Sequence, residues 1–282
     1  MTELQVLRDL RYGEHPLHTW DLYIPSGISE SPDSKAKGVI VFVHGGAWRS
    51  GDKSEHETLA RNLLSASKLP IAVPNYRLSP RTPPPDSEAS IKHPVHVQDT
   101  SLALDAIISS QNLRQISDTS RVFLIGHSCG AHMLASLLLD PPAGEGAPSD
   151  LRPSVAVNDA IKGVVLAEGI HDLDLLLETF PSYQDFVQGA FPGSNFSPFS
   201  VTRYSVREGA PLRWLVAQSQ GDTLIDEAQA ASMYAHLQSE YGRMGWDTAL
   251  VQKDFDSTTE DHDKVLLTTR FAEVACRILE EN

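Results

Sequence analysis

The 282-residue chain predicts an α/β fold: a mostly parallel central sheet of about eight strands with helices on both faces. Three observations carry that expectation. Short apolar, β-branched segments alternate with longer segments of helical period, as in a parallel sheet buried on both faces. At residues 121–139 (RVFLIGHSCGAHMLASLLL) an apolar run passes through Gly126-His127-Ser128-Cys129-Gly130 into an apolar helical segment. Hydrophobic residues make up 41% of the chain, enough for a large core, which excludes a disordered chain.

Taken in order, residues 17–24 read as a strand and 38–44 (GVIVFVH) as a buried one. A helix is expected over 53–67, a short strand over 71–74, and a helix over 96–110 with Pro94 just before it. Residues 122–125 form the strand leading to Ser128, and a helix follows that serine. Residues 161–167 and 213–217 read as further core strands. A helix over 226–244, a strand over 248–252 and a closing helix over 264–280 complete the pattern. Three Pro- or Gly-rich stretches, 79–86, 141–153 and 191–198, have the turn chemistry of surface loops. None separates two composition regimes, so residues 1–282 read as one domain. Residues 171–207 are too long for a simple connection between core strands and, by analogy, read as a cap-like insertion.

The formal net charge of −14 disfavours nucleic acid and anionic membrane as partners, since phosphate binding needs a basic face. The first residues, MTELQVLRDLRYGEH, mix charges early and lack the apolar core of a signal peptide. No run approaches the roughly 18 apolar residues of a membrane span. Of the two cysteines, Cys129 lies beside Ser128 and Cys276 in the closing helix, so no disulfide is expected. A cytoplasmic protein is the expectation.

A strand, Gly-x-Ser-x-Gly and a helix form a tight turn that exposes a serine hydroxyl at the top of a sheet. Its glycines are needed because helix and strand crowd there. Ser128 is therefore the candidate nucleophile, and it needs a base oriented by an acid, in the chain order Ser, Asp or Glu, His. His262 lies in the loop STTEDHDK, between the last strand and the last helix, where a base belongs. His171 directly follows a core strand and is also placed to line a site, whereas His132 and His236 lie on helices. The loop QSQGDTLID offers Asp222 and Asp226. Asp222 follows Gly221 in the turn and is taken as the acid; Asp226 precedes a helix and reads as its N-cap. Asp254, Asp256, Asp261 and Asp263 read as solvated loop charges.

Acyl transfer also needs donors for an oxyanion. One is the backbone N–H of Cys129, the residue after the nucleophile; its thiol should turn away from the Ser128 position. The other belongs to the loop after the third strand, which reads His44-Gly45-Gly46-Ala47-Trp48. Adjacent glycines there let backbone N–H groups approach a ligand. A metal mechanism would have to use His93-x-x-His96 with Asp99 along one helix face. Pro94 between the histidines and the lack of a matching third cluster argue against it, so neither metal nor cofactor is expected.

These motifs, with NYRLSP at 75–80, HPVHVQD at 93–99 and QGDTLID at 220–226, resemble the α/β-hydrolase fold. They resemble the branch shared by hormone-sensitive-lipase-like esterases and kynurenine formamidases. Ala47 stands where the esterases carry a third glycine, and HGG-x-W, with Trp48, is similar to the metal-independent kynurenine formamidases. So are GHS-x-GAH at 126–132 and EGIHDLDLLLETFPSYQDFVQGAFP at 168–192. The resemblance covers nearly the whole chain and is nearest to fungal members. It implies hydrolysis of the small molecule N-formyl-L-kynurenine to L-kynurenine and formate, a step of tryptophan breakdown that can feed NAD synthesis. Ser128 would attack the formamide carbon, His262 would take its proton, and the N–H groups of Cys129, Gly46 and Gly45 would hold the oxyanion. Trp48 would either pack on the aryl ring or seal the loop as a core residue. A homodimer is left open. The alternatives are a small carboxylesterase using the same residues and a catalytically silent binding protein of the same fold.

Overall fold

A computed structural model of the protein describes residues 5–28, 35–81, 91–143 and 151–280. The expected loop stretches therefore lie partly outside the described residues, at 82–86 and 144–150. In chain order the elements are β1 (Gln5–Arg11), β2 (Thr19–Ile24), β3 (Val39–Val43), α1 (Glu57–Ser67), β4 (Ile71–Pro74), α2 (Val95–Ser109), α3 (Gln111–Ile116) and β5 (Val122–His127). There follow α4 (Cys129–Leu138), β6 (Leu139–Asp140), α5 (Val155–Ala160), β7 (Ile161–Ala167), α6 (Leu173–Thr179), α7 (Gln184–Ala190) and β8 (Ser205–Val206). The chain closes with β9 (Arg213–Ala217), α8 (Glu227–Met244), β10 (Val251–Asp254) and α9 (Thr269–Cys276).

Eight strands form one sheet in the order β1-β2-β4-β3-β5-β7-β9-β10. Strands from β4 through β3 to β10 pair in parallel, while β2 pairs antiparallel with both β1 and β4. This is the mostly parallel sheet that the alternation of elements requires. Every residue of β3 is buried because helices cover both faces. Side chains of a strand alternate between faces. Val39, Val41 and Val43 accordingly join a core with Leu104, Met133 and Leu237 of α2, α4 and α8. Ile40 and Phe42 point the other way, to Leu63 of α1 and Phe271 of α9.

Several elements differ from expectation, each for a local reason. The edge strand β1 gives little periodic signal because it is largely exposed and carries Arg8, Asp9 and Arg11, charges that suit an unpaired edge. The last strand starts later than expected because Asp247 caps a 3₁₀ turn at Thr248–Leu250. The closing helix is divided: Thr268 accepts from the Phe271 N–H and starts α9 anew after a 3₁₀ turn. Residues 171–207 hold α6, α7 and three short 3₁₀ turns, and bury Leu173, Val187, Ala190 and Phe191 in the main core. Cys129 and Cys276 are free thiols. No helix among the described residues is long and apolar enough to cross a membrane.

The glycines around Ser128 answer to space rather than flexibility. A Cβ on Gly126 would lie 2.7 Å from the Ala131 nitrogen, and one on Gly130 would overlap the Val43 carbonyl. Neither neighbour is a side chain that can swing aside. Gly130→Ala is expected to cost about 3 kcal/mol or more, the upper range for overpacking a core, as read by urea unfolding.

Candidate active site

Ser128 joins β5 to α4 with φ 55° and ψ −121°, a conformation that costs a non-glycine residue energy. Its N–H donates to the Ala167 carbonyl at 2.9 Å, and its own carbonyl accepts from the Ala131 N–H at 3.1 Å. These bonds hold the strained turn against relaxation. Its Cβ leaves no room on the facing loop: a Cβ on Gly45 would come within 2.9 Å of it.

His262 and Asp222 come together. His262 Nδ1 donates to Asp222 Oδ2 at 2.6 Å, which fixes the tautomer and leaves Nε2 with a free lone pair. Asp222 also accepts from the N–H groups of Leu224 (2.8 Å) and Ile225 (3.0 Å) and from the Gln218 amide (3.1 Å). Burial alone would raise this carboxyl, but the His262 bond and its other donors outweigh burial and bring it to about 2. The turn can approach because residue 221 is glycine; a Cβ there would overlap the Thr259 carbonyl.

His127, between the two halves of the site, was not singled out by the sequence. Its ring lies 4.6 Å from that of His262, and its Nε2 donates to the His262 carbonyl at 2.9 Å. Burial holds it neutral, with His262 nearby reinforcing the effect. Thus the residue preceding Ser128 anchors the loop that carries His262. Glu168 was also missed. It is 1% exposed, accepts the Ser219 N–H on both carboxyl oxygens (2.9 and 3.0 Å) and has an oxygen within 4.8 Å of Asp222.

The glycine loop is held from behind. His44 Nδ1 donates to the Gly45 carbonyl at 2.8 Å, and the Tyr76 hydroxyl donates to the His44 carbonyl at 2.9 Å. Gly46, Ala47 and Trp48 then take φ of 109°, 52° and 59°. The N–H groups of Gly45 and Gly46 donate to no acceptor among the described residues. A hollow of about 410 Å³ beside them is lined by Gly45, Gly46, Ser50 and His127. The Trp48 N–H donates to Cys129 Sγ at 3.2 Å. Burial raises that thiol to about 11, so it stays protonated and ties the loop to α4. Trp48 itself sits in the core. The indole is fully enclosed and meets His132 and Phe191 edge-on, with ring centroids 5.3 and 4.9 Å away. Its Nε1 is buried and has no hydrogen-bond partner among the described residues.

His93, His96 and Asp99 do not converge. His93 stacks on Phe191, His96 Nε2 meets Ser79 Oγ at 3.0 Å, and Asp99 binds Arg77 through the latter's N–H, Nε and Nη2 at 2.9, 2.8 and 2.7 Å. That bidentate pair joins the NYRLSP and HPVHVQD motifs. Arg77→Ala would strip the guanidinium from the fully buried Asp99, leaving it the residue-77 backbone N–H at 2.9 Å and His18 at 3.2 Å. The expected cost is about 3 kcal/mol, measurable as a lower urea midpoint. Potential metal ligands lie within 4.8 Å of one another at Glu168, Asp222 and His262, and at His127, His262 and Asp263. In the first group, His262 Nδ1 is already committed to Asp222.

Of the other candidates, some are bound elsewhere, some are exposed, and His171 has no hydrogen-bond partner on either ring nitrogen among the described residues. His171 is buried over Gly169, and burial lowers it to about 3. His132 and His236 donate through Nε2 to the carbonyls of Phe199 (2.8 Å) and Tyr204 (2.6 Å). Asp226 does stand at the N-terminus of α8, but its side chain makes no cap bond and accepts from the Thr179 hydroxyl instead. Asp254 is not a solvated charge: it is buried and bound by Ser257 and Arg277. Asp256, Asp261 and Asp263 are exposed.

Residues 40–191 match a family model described as the alpha/beta hydrolase fold, so the class of protein is a hydrolase-fold enzyme. A kynurenine formamidase of Eremothecium gossypii is 32% identical over 205 residues, covering 70% of this chain and 78% of that protein. A kynurenine formamidase of Danio rerio is 27% identical over 267 residues, covering 93% and 76%. Among solved structures, an inhibited esterase B of Lactobacillus rhamnosis has a TM-score of 0.70 at 16% identity, covering 98% of this chain and 85% of that one. The last likeness speaks to the fold alone. The chain belongs to the kynurenine formamidase family of α/β hydrolases.

Proposed function

We propose that the protein hydrolyses the aryl formamide of N-formyl-L-kynurenine through Ser128, His262 and Asp222, yielding L-kynurenine and formate. The observation carrying this reading is the strained Ser128 turn, beside a loop whose His262 is hydrogen-bonded at 2.6 Å to an ionised Asp222. His262 Nε2 takes the Ser128 proton as Oγ bonds to the formyl carbon. The oxyanion formed there is received by the N–H groups of Cys129, Gly46 and Gly45. The tetrahedral species collapses, the C–N bond breaks, and His262 gives its proton to the departing aryl amine. Water, deprotonated by His262, then attacks the formyl ester and releases formate, and the proton returns to Ser128.

The names of the relatives support the substrate. The product kynurenine places the reaction in tryptophan breakdown. In this proposal Trp48 shapes the glycine loop from the core and does not stack on substrate. Residues 1–282 act as one domain, with 171–207 as the cap over the site. The Tyr183 hydroxyl of this segment donates to the Leu224 carbonyl in the Asp222 loop. A serine-directed organophosphorus reagent tests the nucleophile: it should label Ser128 alone and abolish formate release in proportion. Full formate release by labelled enzyme would sink the mechanism.

A further inference from the structure

We propose that Glu168 is a positioning residue whose neutral carboxyl donates its proton to Asp222 and so orients the Asp222–His262 pair. This rests on the reading of that pair given above.

Glu168 follows β7, where Ala167 pairs with Ala217 of β9, and its N–H donates to the Ala217 carbonyl at 3.0 Å. Its φ of 49° is left-handed, a strained value for a glutamate, and the side chain turns onto the loop after β9. There the Ser219 N–H supports both oxygens at 2.9 and 3.0 Å. Ligand atoms of Glu168, Asp222 and His262 all lie within 4.8 Å of one another.

Two buried carboxyls with oxygens within 4.8 Å of each other disfavour both being charged. Their donors decide which one ionises. Asp222 has the Leu224 and Ile225 N–H groups, the Gln218 amide and the His262 ring; Glu168 has one backbone N–H. The proton therefore belongs to Glu168. Burial first, then the neighbouring Asp222, pushes its carboxyl up to about 9. A protonated carboxyl has one O–H to donate, and the carboxylate of Asp222, within 4.8 Å, is the acceptor that the proposal assigns to it. The charged or titratable groups facing it are Asp222 from the β9 loop and His262 from the β10 loop. Behind them stand His127 against His262 and the Tyr183 hydroxyl toward Asp222.

The test compares wild type, Glu168→Gln and Glu168→Ala. Infrared difference spectra at pH 7 should show a neutral-acid carbonyl band in wild type that is absent from E168Q and fades in wild type above about pH 9. Stability gives a second readout. With the folded value raised to about 9 from the ordinary 4.5, folded wild type holds a proton that the unfolded chain releases. Its stability relative to E168Q should then fall as pH rises through that window. In turnover, E168A should lose about tenfold to a hundredfold in kcat with KM little changed, and E168Q, which keeps a donor, should lose only about threefold. Wild type should lose kcat as pH rises past about 9, and E168Q should lack that loss. Absence of the band, or parallel pH profiles for wild type and E168Q, overturns the proposal. The spectra and stability do not depend on the substrate, and kcat can be read on p-nitrophenyl acetate. A wrong substrate assignment thus leaves this test intact and is detected separately.

Discussion

Ser128→Ala should lower kcat for N-formyl-L-kynurenine by roughly 10⁶-fold, to the residual rate that an oxyanion site and substrate binding supply without a nucleophile. The fold should survive. Ala keeps the Cβ that the φ of 55° already accommodates, and the bonds holding the turn run through backbone atoms to Ala167 and Ala131. Thermal unfolding should match wild type to within about 1 kcal/mol, because Ser128 Oγ makes no hydrogen bond among the described residues. The separation is diagnostic. If the protein merely bound a ligand on a hydrolase-like fold, removing one hydroxyl would change affinity and there would be no turnover to lose. If a metal-bound water did the chemistry, most activity would persist. Formate release at matched protein stability decides the matter.

Asp222→Asn should be the next most severe change, with kcat lowered by about 10⁴-fold and KM little affected. In wild type the carboxylate accepts from His262 Nδ1, so Nε2 is the basic nitrogen. An amide that turns its NH₂ toward Nδ1 stabilises the opposite tautomer and takes the lone pair away from the serine side. The same substitution carries a pH signature in stability. The folded carboxyl lies near 2 against an ordinary 3.8. A depressed value means stabilisation that is complete above the ordinary value and is lost as pH falls through the window to about 2. Wild type should therefore lose stability faster than D222N between those values, as followed by urea unfolding. Equal acid sensitivity would mean that Asp222 is not the strongly held carboxylate described here.

Much of this site can be read in the chain because its parts are local. Gly126, Gly130 and Gly45 mark places where backbone or Ser128 leaves no room for a Cβ. Asp222 lies in the loop after the apolar strand β9, and His262 in the loop after the half-exposed edge strand β10. The central strands are legible because burial on both faces makes them continuous apolar runs. What could not be read depends on contacts distant in sequence. Strand β1 is an exposed, charged edge whose pairing with β2 leaves no hydrophobic period. Helices α6 and α7 are seven residues each, too short for a periodic signal, and depend on packing against the core. The contacts of Trp48 with the rings of His132 and Phe191 join residues far apart in the chain. Glu168 looks like any acid ending a strand; only the fold brings it to Asp222. His127 had a signal in hindsight, since the residue before the nucleophile must pack against whatever loop crosses the sheet top.

The central claim is formamide cleavage by this serine site, and the ratio of kcat/KM for N-formyl-L-kynurenine to that for p-nitrophenyl acetate tests it most directly. The account predicts that the formamide is the better substrate, although the ester carries the more easily expelled leaving group. It also predicts that both activities vanish together in Ser128→Ala. An ester preference of several orders of magnitude would contradict the formamidase assignment and leave a carboxylesterase on the same residues.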